Sequence, residues 1–130
     1  MIVGIGVDVV DLARFERALS RTPGLLERLF AEGERALPLR SLAGRFAAKE
    51  ALMKALGETD GIRWVEMAIE TDAHGNPDFA LAGRAAEIVA RRGIGRIHVS
   101  MSHDGGIATA FVVAERTAAT EGSPASEAAS

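Results

Sequence analysis

Hydrophobic residues alternate with small or polar residues along the first ten positions of the chain, MIVGIGVDVV. This two-residue period predicts a β-strand, because side chains alternate between the two faces of a strand. One face carries aliphatic side chains, and the other carries Gly4, Gly6 and Asp8. Two glycines leave that face bare, so either a ligand or a packed helix can come close. Both interpretations stay open, and Asp8 is either a binding group or a solvated carboxylate at a strand end.

A helix is expected directly after this strand. The segment 11–21 has a helical pattern with Asp11 as its N-cap. Arg14, Arg17 and Arg21 fall on one stripe of that helix and project from the same side. The sequence TPG then ends the helix, and a second helical stretch, broken by a glycine, is expected to follow.

The segment SLAGRFAAKEALMKALG has the clearest helical pattern, with Ser41 as the predicted N-cap and Gly57 at its end. Its apolar residues cover much of the helix circumference instead of one stripe, which predicts a substantially buried helix. The two lysines of the chain, Lys49 and Lys54, both lie on this helix and flank Glu50.

Short strands account for most of the remaining pattern. Residues 64–72 alternate as a strand, HGNP predicts a turn into another short strand, and GRAAEIVARRG is helical. RIHVSMSHDGG alternates again, and its Gly-Gly end predicts a hairpin to the following strand. This order indicates an α+β fold, an antiparallel sheet with packed helices. The domain is expected to span 1–116, because 117–130 lack large apolar side chains and are predicted to form a disordered tail.

Composition narrows the classes of function. The formal net charge of -3 over 130 residues argues against generic nucleic-acid binding. The absence of cysteine excludes disulfides and thiolate metal sites. The first strand is short and carries a carboxylate, so it predicts neither a signal peptide nor a membrane span. We therefore expect a cytoplasmic protein that binds neither nucleic acid nor membranes.

Glu50 and Lys54 are four residues apart and project from the same side of their helix. They form either an ordinary ion pair or part of a site, since a buried charge must be paired or must bind something charged. Lysine offers a compact positive charge that binds phosphate. A carboxylate beside it would repel the same phosphate unless both bind a Mg²⁺ ion, and Asp8 could be the second carboxylate ligand of that ion. Ser102 and His103 precede a Gly-Gly turn and are either ordinary turn residues or anion ligands.

Three segments together resemble the small, single-domain 4'-phosphopantetheinyl transferases. They are GIGVDVVDLARF at 4–15, GRFAAKEALMKALG at 44–57 and SMSHDGG at 100–106, and HGNP at 74–77 resembles a fourth, weaker motif. The resemblance implies the 4'-phosphopantetheinyl transferase fold. It also implies a reaction in which the 4'-phosphopantetheine group of coenzyme A moves to a serine of an apo acyl carrier protein, with release of adenosine 3',5'-bisphosphate.

The resemblance further implies roles for individual residues. Asp8 and Glu50 would ligate Mg²⁺, and Lys54 would complete the catalytic group by facing the pyrophosphate. Ser102 and His103 would come from a neighbouring subunit. The implied contacts with coenzyme A are Arg45, Lys49, Lys54, Gly75, Pro77, Ser102 and His103.

The same resemblance implies an acidic carrier as partner and a homotrimer with its sites between subunits. Arg14, Arg17 and Arg21 would dock the carrier, and the alternative is a solvated helix face. The small side chains of the last strand, Ala108, Ala110 and Ala114, would permit close packing in the trimer.

Two other functions fit parts of the pattern. A non-catalytic module that binds coenzyme A or a nucleotide would use the lysines without needing both carboxylates. A Mg²⁺-dependent phosphohydrolase would use the same metal site without needing the arginine stripe.

Overall fold

The fold is α+β, as the sequence predicts, and the computed structural model describes residues 1–121. Two short 3₁₀ turns, at Glu32–Glu34 and Trp64–Glu66, connect larger elements. The strands and helices in chain order are β1 (Ile2–Asp11), α1 (Leu12–Arg21), α2 (Leu25–Leu29), α3 (Leu39–Leu56), β2 (Met67–Thr71), β3 (Pro77–Leu81), α4 (Gly83–Arg91), β4 (Arg96–Asp104), β5 (Ile107–Glu115) and α5 (Ala118–Glu121).

The strands form two antiparallel sheets. The larger sheet has the order β1-β5-β4, and the smaller sheet is the β2-β3 hairpin. The predicted hairpin of β4 and β5 is confirmed. The first strand pairs with the last, so that Asp8 and Met101 flank the same residue, Ala110, from opposite sides. The predicted strand at 64–72 begins only at Met67, after the 3₁₀ turn.

Helix α3 packs directly on the backbone of β1. A Cβ placed on Gly4 would lie 1.9 Å from the carbonyl oxygen of Ala55, and one on Gly6 would lie 1.9 Å from that of Ala51. The packed-helix interpretation of the glycine face is therefore correct. Small residues on both elements allow this contact, because no side chain separates the two backbones.

Of the two predicted ends of α3, the C-terminal one is confirmed. Gly57 ends the helix with a φ of 69°, a left-handed conformation that glycine adopts without steric cost. The predicted N-cap at Ser41 is wrong. The helix begins two residues earlier, at Leu39, and Pro38 is its N-cap. Proline suits the start of a helix because the first N–H groups have no partner inside the helix.

The outer face of the larger sheet is apolar and exposed. Ile5, Val7 and Val9 are 61%, 50% and 60% exposed, and Phe111 on β5 is 47% exposed. The alanines of β5 lie on the other face. Ala108, Ala110 and Ala114 are 0%, 1% and 0% exposed in the core. The expectation that these alanines form a subunit contact is therefore corrected, because they are already buried inside the single chain.

Met1 and Arg116, just outside the first and last strands, meet beside this sheet. The ammonium group of Met1 donates to the carbonyl of Arg116 at 2.9 Å, and the amide of Arg116 donates to the carbonyl of Met1 at 2.8 Å. Within the segment 117–130, predicted to be disordered, the structure describes the helical turn α5, and 122–130 lie outside the described residues. No helix within residues 1–121 has both the length and the apolarity needed to cross a bilayer.

Candidate active site

Three charged side chains meet where α3 crosses β1. Asp8 lies on the inner face of β1, and Glu50 and Lys54 lie one helical turn apart on α3. The ammonium Nζ of Lys54 is 3.1 Å from Asp8 Oδ1 and donates to the carbonyl of Val7 at 2.9 Å. The close contact at Gly6 makes these distances possible. The structure therefore brings together the three residues that the sequence predicts as the catalytic group.

The two carboxylates of this group influence each other. Burial raises the pKa of Glu50, and the neighbouring Asp8 carboxylate raises that pKa further, while Lys54 opposes the shift. Like charges held close together disfavour ionisation, and a cation between them removes that cost. The donor chemistry of Asp8 and Glu50 therefore fits a divalent cation.

The number of carboxylates in this donor set is compatible with Mg²⁺. No cluster of three or more acidic or histidine side chains suited to a metal ion occurs within residues 1–121. Two carboxylates would leave the other positions to phosphate oxygens and water, which is how Mg²⁺ is commonly held at phosphate-processing sites.

Asp8 and Glu50 form part of the wall of a cleft of about 450 Å³. Three aromatic side chains also line it. The ring of Phe46 stacks on that of Phe15 at 5.3 Å, and it lies 5.3 Å from the ring of Trp64. The cleft thus combines charged side chains with an aromatic surface, and it suits a partner that carries both charged and apolar groups.

One residue of the arginine stripe, Arg14, lies at this cleft. The side chain of Asp11 accepts a hydrogen bond from the amide of Arg14 at 2.9 Å, which confirms the predicted N-cap of α1. Arg14 lines the cleft, and Arg17 and Arg21 are exposed on the same helix. Arg28 on α2 also lines the cleft. It lies seven residues after Arg21, but the intervening TPG turn hid this relation in the sequence.

Lys49 has a different environment from Lys54. It is 0% exposed, and its Nζ lies 2.8 Å from Glu34 Oε1 and 2.7 Å from the carbonyl of Leu29. The predicted contact between Lys49 and coenzyme A is therefore corrected to an internal ion pair, because this ammonium group has no exposed surface. No local pattern points to this partner, because Glu34 lies fifteen positions from Lys49.

Arg45 lies with Ser102 and His103 around a second cavity, of about 180 Å³. Within residues 1–121, the guanidinium Nη1 of Arg45 donates a hydrogen bond to the carbonyl of Ile69 at 2.6 Å. The structure therefore groups three of the predicted coenzyme A contacts. Other residues around the cavity, which the sequence analysis did not predict as ligand contacts, are Arg40, Ser41, Gly44, Thr71 and Met101.

Gly75 and Pro77 belong to the β2-β3 hairpin. Gly75 has a φ of 82° at the turn, and the carboxylate of Asp72 accepts hydrogen bonds from the amides of His74 and Asn76 at 2.8 and 2.9 Å. Pro77 lines a cavity of about 670 Å³. Thr71 borders both this cavity and the one at Arg45, so the two spaces adjoin.

Among residues 1–121 of one chain, the cleft at Asp8 and the cavity at His103 share no lining residue. The structure therefore places the predicted site residues in two groups. Lys54 borders another hollow, which is lined by the exposed apolar residues Ile5, Val7 and Phe111. Asp8, Glu50 and Lys54, which we call the Asp8 group, thus lie at the edge of the apolar outer face of the sheet.

Known proteins are similar to this chain in both sequence and fold. The family model described as the 4'-phosphopantetheinyl transferase superfamily matches residues 4–116. The holo-[acyl-carrier-protein] synthase of Clavibacter sepedonicus is 64% identical over 115 residues, which cover 88% of this chain and 97% of that protein.

Solved structures agree with this match. The holo-[acyl-carrier-protein] synthase from Neisseria meningitidis is 38% identical with a TM-score of 0.77, and the match covers 88% of this chain and 99% of that one. The Helicobacter pylori synthase, solved in complex with coenzyme A, is 32% identical with a TM-score of 0.76, and the match covers 85% and 99%.

The chain belongs to the 4'-phosphopantetheinyl transferase superfamily. Within that superfamily it groups with the small, single-domain holo-[acyl-carrier-protein] synthases.

Proposed function

We propose that this protein transfers the 4'-phosphopantetheine group of coenzyme A to a serine of an apo acyl carrier protein, that it requires Mg²⁺, and that adenosine 3',5'-bisphosphate is released. The observation that carries the proposal is the meeting of Asp8, Glu50 and Lys54 at the contact between β1 and α3. Relatives named holo-[acyl-carrier-protein] synthase support it, as does the related Helicobacter pylori protein, which was solved in complex with coenzyme A.

Asp8 and Glu50 would hold the Mg²⁺ ion. When bound, this ion would polarise phosphate oxygens and stabilise the leaving group. The contribution of the chain is largely positioning and charge, as in phosphoryl transfer generally. Lys54 would neutralise a phosphate oxygen of the substrate. Its side chain is 55% exposed, so the ammonium can meet a ligand while it stays close to Asp8.

The remainder of coenzyme A would lie across the second group of residues. Arg45, Ser102 and His103 would bind phosphate oxygens, because a guanidinium, a hydroxyl and an imidazole can all donate hydrogen bonds to anions. The adjoining cavity lined by Pro77, together with the nearby turn at Gly75, would take the adenine side. The shared border at Thr71 supports a continuous path for the ligand.

The carrier would dock at the cleft that holds the carboxylates. Arg14, Arg17 and Arg21 would meet acidic side chains of the carrier, since complementary charge speeds encounter and fixes orientation. The position of Arg14 on the wall of the cleft supports this role, because a carrier bound there is next to Asp8 and Glu50.

The active protein would be a homotrimer with sites between subunits. The exposed apolar face of the larger sheet supports assembly, because large exposed apolar patches usually mark interaction sites. Lys54 borders that face, so a second copy seated on it would lie next to the Asp8 group. The neighbour would then supply Ser102 and His103, which lie in a separate cavity within each chain.

A direct test is to incubate the protein with coenzyme A, Mg²⁺ and an apo acyl carrier protein, and then to weigh the carrier by mass spectrometry. The expected result is a gain of one phosphopantetheine group, and no gain when EDTA is present. Binding of coenzyme A without any gain on several carriers would instead indicate a binding module. Hydrolysis of a phosphate ester without transfer would indicate a phosphohydrolase.

A further inference from the structure

Glu34, Arg45 and Lys49 form a buried charge cluster beneath the cavity that Arg45 lines. They are the buried charged residues of the part of the chain that the structure describes, at 3%, 8% and 0% exposure. Glu34 Oε1 is 2.8 Å from Lys49 Nζ, and Glu34 Oε2 is 3.7 Å from Arg45 Nη1. One carboxylate therefore faces two cations.

Backbone groups fix the geometry of this cluster. The carboxylate of Glu34 accepts from the amides of Ala31 and Ile69, each at 3.1 Å, so both oxygens are held in place. Lys49 is held from the other side by the carbonyl of Leu29. Burial lowers the pKa of Lys49, and its hydrogen bond and charge interaction with Glu34 oppose that shift.

The two cations do not share the carboxylate equally. Lys49 makes a short hydrogen bond to Glu34. Arg45 is too far from Glu34 to form a hydrogen bond, and its Nη1 donates to the carbonyl of Ile69 instead. A carbonyl does not neutralise a cation. The cluster thus keeps one positive charge in excess, and that charge lies at the wall of the cavity with Ser102 and His103.

We propose that Lys49 and Glu34 are positioning residues that keep the charge of Arg45 available for a phosphate of the ligand. Lys49 neutralises Glu34, so the carboxylate does not draw the guanidinium inward. The inference rests on the proposed binding of coenzyme A at Arg45. It assigns Lys49 an effect on that binding without any contact between Lys49 and the ligand.

Glu34 and the phosphate of the ligand therefore compete for Arg45, and mutations can reveal this competition. Without Lys49, the buried carboxylate of Glu34 needs another cation, because an unpaired buried charge is very costly. Arg45 is close enough to take that place, and a paired Arg45 binds phosphate less well. Removal of Glu34 together with Lys49 takes away the competitor and should free Arg45 again.

The test is calorimetric titration of coenzyme A, in the presence of Mg²⁺, into the full-length protein and its variants. Lys49→Met should weaken binding about tenfold, the difference that corresponds to about 1.4 kcal/mol. The double variant Glu34→Gln/Lys49→Met should bind coenzyme A within about twofold of the unmodified protein. Arg45→Gln should bind coenzyme A weakly, both alone and when combined with the double variant. Lys49→Gln keeps a donor without the charge, and it serves the same comparison if Lys49→Met does not fold.

Leu52→Ala is the matched control, because Leu52 is fully buried on the same helix and is uncharged. Thermal denaturation of every variant separates loss of stability from loss of affinity. Unchanged binding by Lys49→Met would overturn the inference. Equal weakening in the single variant and the double variant would also overturn it, since that would follow from packing alone. No binding by the unmodified protein would instead count against the proposed function itself, on which the inference depends.

Discussion

Lys54 and Asp8 join α3 to β1 across the contact between the two elements, with 3.1 Å between Nζ and Oδ1. The Lys54 side chain is 55% exposed and that of Asp8 is 19% exposed, so both remain open to a ligand. Glu50 lies one helical turn before Lys54 and faces the same cleft as Asp8. This arrangement puts charges of both signs at one point on the surface, as the proposed metal–phosphate substrate would require.

Replacement of Glu50 by glutamine should reduce transfer by about a hundredfold or more, because the proposed metal site would lose a ligand. The fold should stay intact, and circular dichroism checks this. Retention of Mg²⁺-dependent transfer by Glu50→Gln would remove Glu50 from the metal site.

The same substitution should change the pH dependence of stability. The folded state raises the pKa of Glu50 above its usual value, so this carboxylate costs stability once it is ionised. The cost is absent below the usual pKa of a glutamate and grows as the pH rises through the raised value. Glu50→Gln should therefore melt higher than the unmodified protein near neutral pH and equally at acid pH. Mg²⁺ should raise the melting temperature of the unmodified protein only.

Replacement of Arg14 by glutamate should weaken docking of the carrier. Reversal of a charge at the rim of the cleft should raise the KM for the carrier about tenfold, and the KM for coenzyme A should change little. Arg91→Glu on α4 is the charge-matched control, because Arg91 is exposed and does not line the cleft. Equal effects of Arg14→Glu on both substrates would argue against α1 as the docking helix.

Replacement of Gly6 by alanine should disrupt the contact between β1 and α3. The added methyl group would lie 1.9 Å from a backbone oxygen of Ala51, so the helix must move. The expected cost is about 1–3 kcal/mol or more in the free energy of unfolding, with lost activity because Asp8 and Glu50 separate. Gly33→Ala is the control, because an added methyl group there meets nothing within 4 Å. A denaturant titration in which both variants unfold alike would contradict the packing argument.

Two inactive variants should restore activity to each other if the sites lie between subunits. Glu50→Gln and His103→Ala damage different residue groups, so a mixed trimer contains some sites in which both groups are unmodified. Random mixing should recover about a quarter of the sites, provided that the subunits exchange or are expressed together. Adding Phe111→Arg to one of the two chains should block recovery, because Phe111 lies on the exposed apolar face. No recovery in mixtures whose trimeric mass is verified would place the whole site within one chain.

Local patterns in the sequence predict much of this fold. Alternation identifies β1, the Asp11 N-cap marks the start of α1, and the spacing of Glu50 and Lys54 places them on one side of α3. Each of these features depends on neighbours within about four residues, which is the range over which periodicity and capping act.

Features that depend on tertiary contacts escaped such patterns. Alternation divides β1 into two faces but does not say which face is buried, and the glycine face proved to be the covered one. Lys49 and Lys54 look alike in sequence, yet one is buried against Glu34 and the other is half exposed. Arg28 joins the cleft only because α2 folds back towards α1.

The pairing of the first strand with the last has a consequence for biosynthesis. Asp8 lies opposite Ala110 in the larger sheet, so its strand gains its hydrogen-bonded neighbour only after nearly the whole domain has been synthesised. Contacts between such distant parts of a chain form slowly, because the intervening chain must be ordered first. On the ribosome, β1 is made first but must wait for β5 to emerge. A nascent chain that lacks β5 therefore has all the acidic and basic groups of the proposed metal site but no sheet to hold them together.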